Sequence, residues 1–155
     1  MNEPLNQKVL AKLMRYCAYQ ERSSKEVLNK IGTFIVEDTQ AQLIYNYLIK
    51  HNYLNDQRYA CAFVTGKFRI NRWGKIKIKR ALFIKGIDAK LIEIAIEGIN
   101  QTEYLKTLND LANNKIQHIN AKSEFDLNNK IRRYLLNKGY ETELINQVIE
   151  AMNRD

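Results

Sequence analysis

The sequence predicts an all-α protein built from three tandem three-helix repeats, and three observations carry that prediction. The first is an internal repeat: Ile78-Lys79-Arg80-Ala81-Leu82-Phe83-Ile84-Lys85-Gly86 aligns with Ile131-Arg132-Arg133-Tyr134-Leu135-Leu136-Asn137-Lys138-Gly139. The match runs on, with Leu91, Ile92, Ile96 and Glu97 falling on Leu144, Ile145, Ile149 and Glu150. The second is the scarcity of breakers, one proline and six glycines in 155 residues, which favours helices over a turn-rich β fold. The third is apolar residues at helical spacing in segment after segment. Units that cannot bury their apolar faces alone must stack on their neighbours, so the expected molecule is elongated and curved.

The first unit is read over residues 1–54. Its opening helix, about Pro4 to Gln20, carries Val9, Leu10, Leu13, Met14 and Cys17 on one face, with Pro4 at its N-terminus. Ser23-Ser24-Lys25-Glu26 reads as a capping box for a short helix bearing Val27, Leu28 and Ile31, ended by Gly32. A third helix near Glu37 to His51 presents Leu43, Ile44, Tyr47 and Leu48.

The second unit, 55–100, starts with a helix capped by Asn55 or Asp56 and buried through Tyr59, Ala60, Phe63 and Val64. Trp73-Gly74 breaks it. Lys75-Ile76-Lys77-Ile78-Lys79 alternates as a strand would, but the matching segment from Asn128 to Arg132 does not, so Lys75 to Lys85 reads as a helix stopped at Gly86. Asp88 caps a helix burying Leu91, Ile92, Ala95, Ile96 and Ile99. The third unit, 101–155, repeats the plan. Leu105, Leu108, Leu111, Ala112 and Ile116 mark its first helix, Glu124 to Lys138 its second, and Leu144, Ile145, Val148, Ile149 and Met152 its third.

The 45% hydrophobic content suffices for a core, while no apolar run nears the ~20 residues a bilayer crossing needs. No signal peptide is visible, and Cys17 and Cys61 sit in apolar helical patterns, where buried reduced thiols are expected. A cytoplasmic protein is therefore expected. His51 and His118 lie in different units without paired ligands at metal spacing, and there is no glycine-rich phosphate loop or nucleophile triad. The expectation is a protein that is not an enzyme and takes no cofactor.

The net charge of +8 points to a polyanionic partner or an acidic protein surface. From Gln57 to Ile87 there are nine basic residues and no acidic one. Like charges at helical spacing repel, which favours a compensating partner over a merely solvated face. The leading candidates are Arg72, Lys75, Lys79 and Arg80, followed by Lys67, Arg69, Lys77 and Lys85. Arg132 and Arg133 occupy the Lys79-Arg80 position of the third unit. The single tryptophan, Trp73, reads first as a corner residue packing between units, with base stacking or interface anchoring as the alternative. Tyr53 and Tyr59 read as core. Sequence-specific readout is disfavoured, since no helix sets out a clear row of base-reading side chains beyond Asn128, Asn129, Arg132 and Arg133.

Tyr53-Leu54-Asn55-Asp56-Gln57-Arg58-Tyr59-Ala60 followed by Phe63-Val64 resembles the signature of the RecX family of bacterial recombinase regulators. A second element is similar too: Gly74, a basic helix, Leu82, then Lys85-Gly86-Ile87. The resemblance spans nearly the whole chain. Asn52 departs from it, standing where the family often has glycine, and Trp73 is bulky for its place. The resemblance implies a non-enzymatic protein that binds RecA polymerised on single-stranded DNA, lies in the filament groove, and limits growth or promotes disassembly. It implies lowered strand exchange, ATP hydrolysis and co-protease activity. A monomer is the default expectation, and a general nucleic-acid-binding module without a recombinase partner is the alternative.

Overall fold

A computed structural model describes residues 4–154. Among them are nine helices and no strand: α1 Gln7–Tyr19, α2 Ser24–Ile31, α3 Asp38–Lys50, α4 Asp56–Arg69, α5 Lys75–Ile84, α6 Ala89–Glu97, α7 Gln101–Ile116, α8 Glu124–Lys138 and α9 Thr142–Arg154. The alternating Lys75–Lys79 segment is helical, as its match in α8 requires. The sequence repeat is a repeat of burial. Ile78 and Ile131 are both buried, as are Leu82 and Leu135, Ile87 and Tyr140, and Ile92 and Ile145. The two glycine stops also coincide in conformation, with φ of 80° at Gly86 and 100° at Gly139, a left-handed region in which side chains are strained.

The chain packs as two compact units. One runs up to Ala62 and over Leu82–Glu93; the other covers Phe63–Ala81 and everything from Ile94 onward. The division passes through α4, α5 and α6.

In the first unit Leu10, Leu13, Cys17, Val27, Ile31, Ile44, Leu48 and Leu54 form one apolar cluster. Pro4 does not start α1. Asn6 is its N-cap, accepting from the Val9 N–H, and the Pro4 carbonyl accepts instead from Gln40 Nε2 at 2.6 Å. Gln40 is buried and its Oε1 takes the Asn6 N–H at 2.9 Å, so both ends of one amide are satisfied. Ser23 caps α2 as expected, its Oγ accepting from the Glu26 N–H at 3.1 Å.

The Tyr-Leu-Asn-Asp segment is a folding device. Asn52 has φ of 61°, a conformation that asparagine tolerates and glycine favours, which explains the departure at that position. The Tyr53 and Leu54 N–H groups then both reach the Leu48 carbonyl, closing α3. Leu54 enters the core. Asn55, of the two candidates, caps α4 by accepting from the Arg58 N–H at 3.0 Å. Asp56 serves the start of α2 instead, accepting from the Ser24 N–H at 2.7 Å. Cys17 is buried but Cys61 is exposed, against the expectation of two buried thiols; Tyr59, Ala60 and Val64 take the inward face of α4 and turn position 61 outward.

In the second unit the rings of Phe68, Tyr104 and Tyr140 pack in sequence, tilted to one another, at 5.8 and 5.1 Å between centroids. Tyr104 and Tyr140 are fully buried, and both hydroxyls are used. Tyr104 accepts from the Lys75 N–H at 2.9 Å and donates to Glu141. Tyr140 donates to the Arg72 carbonyl at 3.0 Å.

Tyr59, Tyr104 and Tyr140 supply a pH prediction. Burial first, then the neighbouring Glu26 or Glu141 carboxylate, pushes each phenol above its ordinary value of 10.0. The native state therefore favours the neutral phenol. Its stabilisation is fully present below pH 10 and is lost as pH rises beyond it, because the unfolded chain releases those protons first. Alkaline titration followed at 295 nm alongside circular dichroism should show these three phenols ionising only as helicity is lost. Ionisation of all nine tyrosines with helicity intact would contradict it.

Candidate polyanion interface

The basic surface starts with how the N-terminus of α5 is held. The first N–H groups of a helix have no partner within it. Here the Gly74 N–H donates to the Lys138 carbonyl at 2.7 Å, the Ile76 N–H to the Gly139 carbonyl at 3.0 Å, and the Lys75 N–H to Tyr104 Oη. The C-terminal end of α8 thus abuts the N-terminal end of α5, an arrangement the two helix dipoles favour. It requires glycine on both sides. A Cβ on Gly74 would sit 2.3 Å from the Gly139 oxygen, and one on Gly139 2.3 Å from Lys77 Cβ.

Around this frame the candidate cations separate into groups. Lys67 and Lys77 bracket Trp73, their ammonium groups 4.9 and 4.5 Å from the ring centroid. Lys77 Nζ also donates to the Asn137 carbonyl at 3.4 Å. Trp73 therefore packs inside one compact unit, between a lysine of α4 and a lysine of α5. Lys75 is held by Gln101 Oε1 at 3.2 Å and lies over the Tyr104 ring. Arg72 has a φ of 58° and an exposed side chain; its carbonyl is the acceptor for Tyr140. Arg69 lies 4.0 Å from Glu103, an exposed pair that salt screens readily.

Lys79 is half-exposed and Arg80 exposed on α5. The equivalent α8 residues repeat those states: Arg132 is half-exposed and Arg133 exposed. Arg132 is braced by Asn129 Oδ1 at 3.0 Å and Asn146 Oδ1 at 3.3 Å. Lys85 falls in the other compact unit, 3.9 Å from Glu26 Oε1. Arg58 lies in that unit as well, 2.6 Å from Glu21 Oε1. The acid-free stretch is thus not acid-free in space at either end, because residues from α2 and the segment before it supply carboxylates.

The sequence reading missed Tyr104, which anchors α5. Its signal was present, four residues before Leu108 on the row that continues to Leu111 and Ala112. It also missed Lys115, Lys130 and Tyr134, which meet Arg133 around one pocket. Among the described residues no group of three His, Cys, Asp or Glu side chains is placed to hold a metal ion, and no helix is long and apolar enough to cross a membrane.

Fold and surface together define a class: an all-α protein of three-helix repeats that presents arginine and lysine side chains from equivalent helices. Two family models match it, RecX second three-helix domain over residues 55–96 and RecX third three-helix domain over residues 102–149. The chain belongs to the RecX family. It is similar to "Regulatory protein RecX" of Clostridium botulinum (strain Alaska E43 / Type E3), 31% identical over 136 residues, covering 85% of this chain and 63% of that protein. The corresponding protein of Clostridium beijerinckii is 30% identical over 133 residues, covering 84% and 62%. The chain therefore spans less than two thirds of the length of these relatives. The crystal structure of RecX from Lactobacillus salivarius superposes with a TM-score of 0.84 at 28% identity, covering 96% of this chain and 97% of that one.

Proposed function

We propose that this protein is a non-enzymatic regulator of the RecA recombinase. It binds RecA polymerised on single-stranded DNA, within the helical groove, and limits filament growth or promotes disassembly. Strand exchange, ATP hydrolysis and co-protease activity fall as a result. It acts in the cytoplasm as a monomer, through Arg72, Lys75, Lys79 and Arg80, with Lys67, Arg69, Lys77 and Lys85 behind them and Arg132 and Arg133 at a second place.

The observation that supports this reading best is the shared register of α5 and α8. Both carry a cation pair one and two residues after a fully buried isoleucine, Ile78 or Ile131. Two similar cationic faces suit a partner that itself repeats, and a nucleoprotein polymer repeats at every subunit. Family membership supports RecA as that partner.

The test is RecA filament length on single-stranded DNA and the accompanying ATPase rate, with and without this protein. Shortened filaments and a lowered rate are expected. Unchanged filaments, together with tight salt-sensitive binding to bare DNA, would instead favour the general nucleic-acid-binding module.

A further inference from the structure

We propose that the third repeat carries a separate site for one nucleotide of a single strand, in the pocket between the end of α7 and α8. The proposal does not rest on the recombinase reading, since it concerns this chain and nucleic acid alone. The pocket has a volume of about 350 Å³, at the small end of the roughly 300–1,000 Å³ of ligand sites in general. Lys115, Asn120, Lys130, Arg133, Tyr134 and Asn137 line it, and no carboxylate does.

Two of the three cations are positioned. Lys130 Nζ is held by the Asn120 carbonyl at 2.6 Å and by Asp126 Oδ2 at 3.2 Å, on the pocket rim. Asp126 offsets one of the three positive charges and leaves the site cationic. Lys115 Nζ lies 4.7 Å from the centroid of the half-exposed Tyr134 ring. Arg133 is exposed on the α8 side.

The chemistry selects a base joined to a phosphate. An ammonium resting on an aromatic face is held weakly and can leave it. When a phosphate arrives, Lys115 turns from the ring to that phosphate, joined by Arg133 and Lys130, and the Tyr134 face becomes a stacking surface. The amides of Asn120 and Asn137 offer donors and acceptors to base edges. An acidic peptide would use the cations but leave the aromatic face and the amides idle, so a nucleotide uses the pocket more completely.

The test uses the full chain and a fluorescein-labelled oligothymidylate without recombinase. Tyr134→Leu should bind about tenfold more weakly with an unchanged salt slope, whereas Tyr134→Phe, which keeps the ring, should bind as the unsubstituted protein does. Lys115→Gln with Arg133→Gln should lower the salt slope by about one to two. Photo-cross-linking with 5-iododeoxyuridine in the strand should place the adduct on Tyr134. The free 5-iodo monophosphate separates the two sources: an adduct from the strand alone marks a strand site, and one from both marks a mononucleotide site, each consistent with the pocket chemistry. Tyr134→Leu binding at full affinity, an adduct confined to Trp73, or equal displacement of the strand by a polyglutamate peptide of matched charge would overturn the proposal. So would absence of oligonucleotide binding at low salt.

Discussion

Alanine at Gly74 should lower the thermal unfolding midpoint by about 10 °C, the loss of about 3 kcal/mol expected of backbone overpacking in a chain of this size. The new Cβ would lie 2.3 Å from the Gly139 carbonyl oxygen and 2.5 Å from the Tyr140 nitrogen. Those are main-chain atoms and cannot swing aside as the end of a lysine could. Relief would require α5 to draw away from α8, breaking the Gly74-to-Lys138 and Ile76-to-Gly139 hydrogen bonds. The Lys75 N–H would then leave Tyr104, and buried polar groups would lose their partners. Gly66 is the internal control. It lies in α4 with nothing within 4 Å of an added Cβ, so Gly66→Ala should raise stability by about 0.5–1 kcal/mol through helix propensity alone. Thermal melts of the two variants should move in opposite directions. If both fall alike, the close approach of Gly74 to Gly139 is not what limits this position.

On the function proposed above, reversing Lys79 and Arg80 to glutamate should raise the concentration needed for half-maximal filament inhibition about a hundredfold, since each reversal replaces an attraction with a repulsion of similar size. Adding Lys75→Glu should weaken it further. The double variant is the cleaner test, because Lys75 also contacts Gln101 and the Tyr104 ring and its reversal disturbs the α5 anchor. Arg80 is exposed, so its reversal should leave the melting temperature within a few degrees of the unsubstituted protein. Residual inhibition should fade as salt rises, since screening acts on whichever charges still attract. Undiminished inhibition by the folded double variant would remove these two residues from the proposed surface and shift attention to Arg132 and Arg133.

The legible part of this protein was whatever local chemistry dictates. Ser23, Asn55 and Asp88 are helix caps because a short polar side chain satisfies nearby N–H groups without help from elsewhere. Gly86 and Gly139 stop helices because only glycine reaches positive φ at no cost. The illegible part was whatever depends on a distant partner. Pro4 and Gln40 are thirty-six residues apart, and nothing local marks Gln40 for that contact. Asp56 looked like a cap for its own helix and serves α2, because the space beside the Ser24 N–H is set by tertiary packing. Cys61 was assigned to the core on periodicity, yet α4 buries only a narrow stripe.

The candidate site divides in the same way. Its charge was readable, since composition alone put nine cations and no carboxylate between Gln57 and Ile87. Its electrostatics were not. Glu21 and Glu26 come from another helix and the segment before it to neighbour Arg58 and Lys85, while Arg80 stays exposed.

By itself the sequence determined the helices, their stops and the doubling of the α5 pattern in α8, because hydrophobic period, capping and glycine conformation act within a few residues. Only the tertiary structure decided that α5 starts against the end of α8, with Tyr104 and Tyr140 closing the joint. That contact depends on two glycines sixty-five residues apart meeting at main-chain distance, and no local pattern encodes such a meeting.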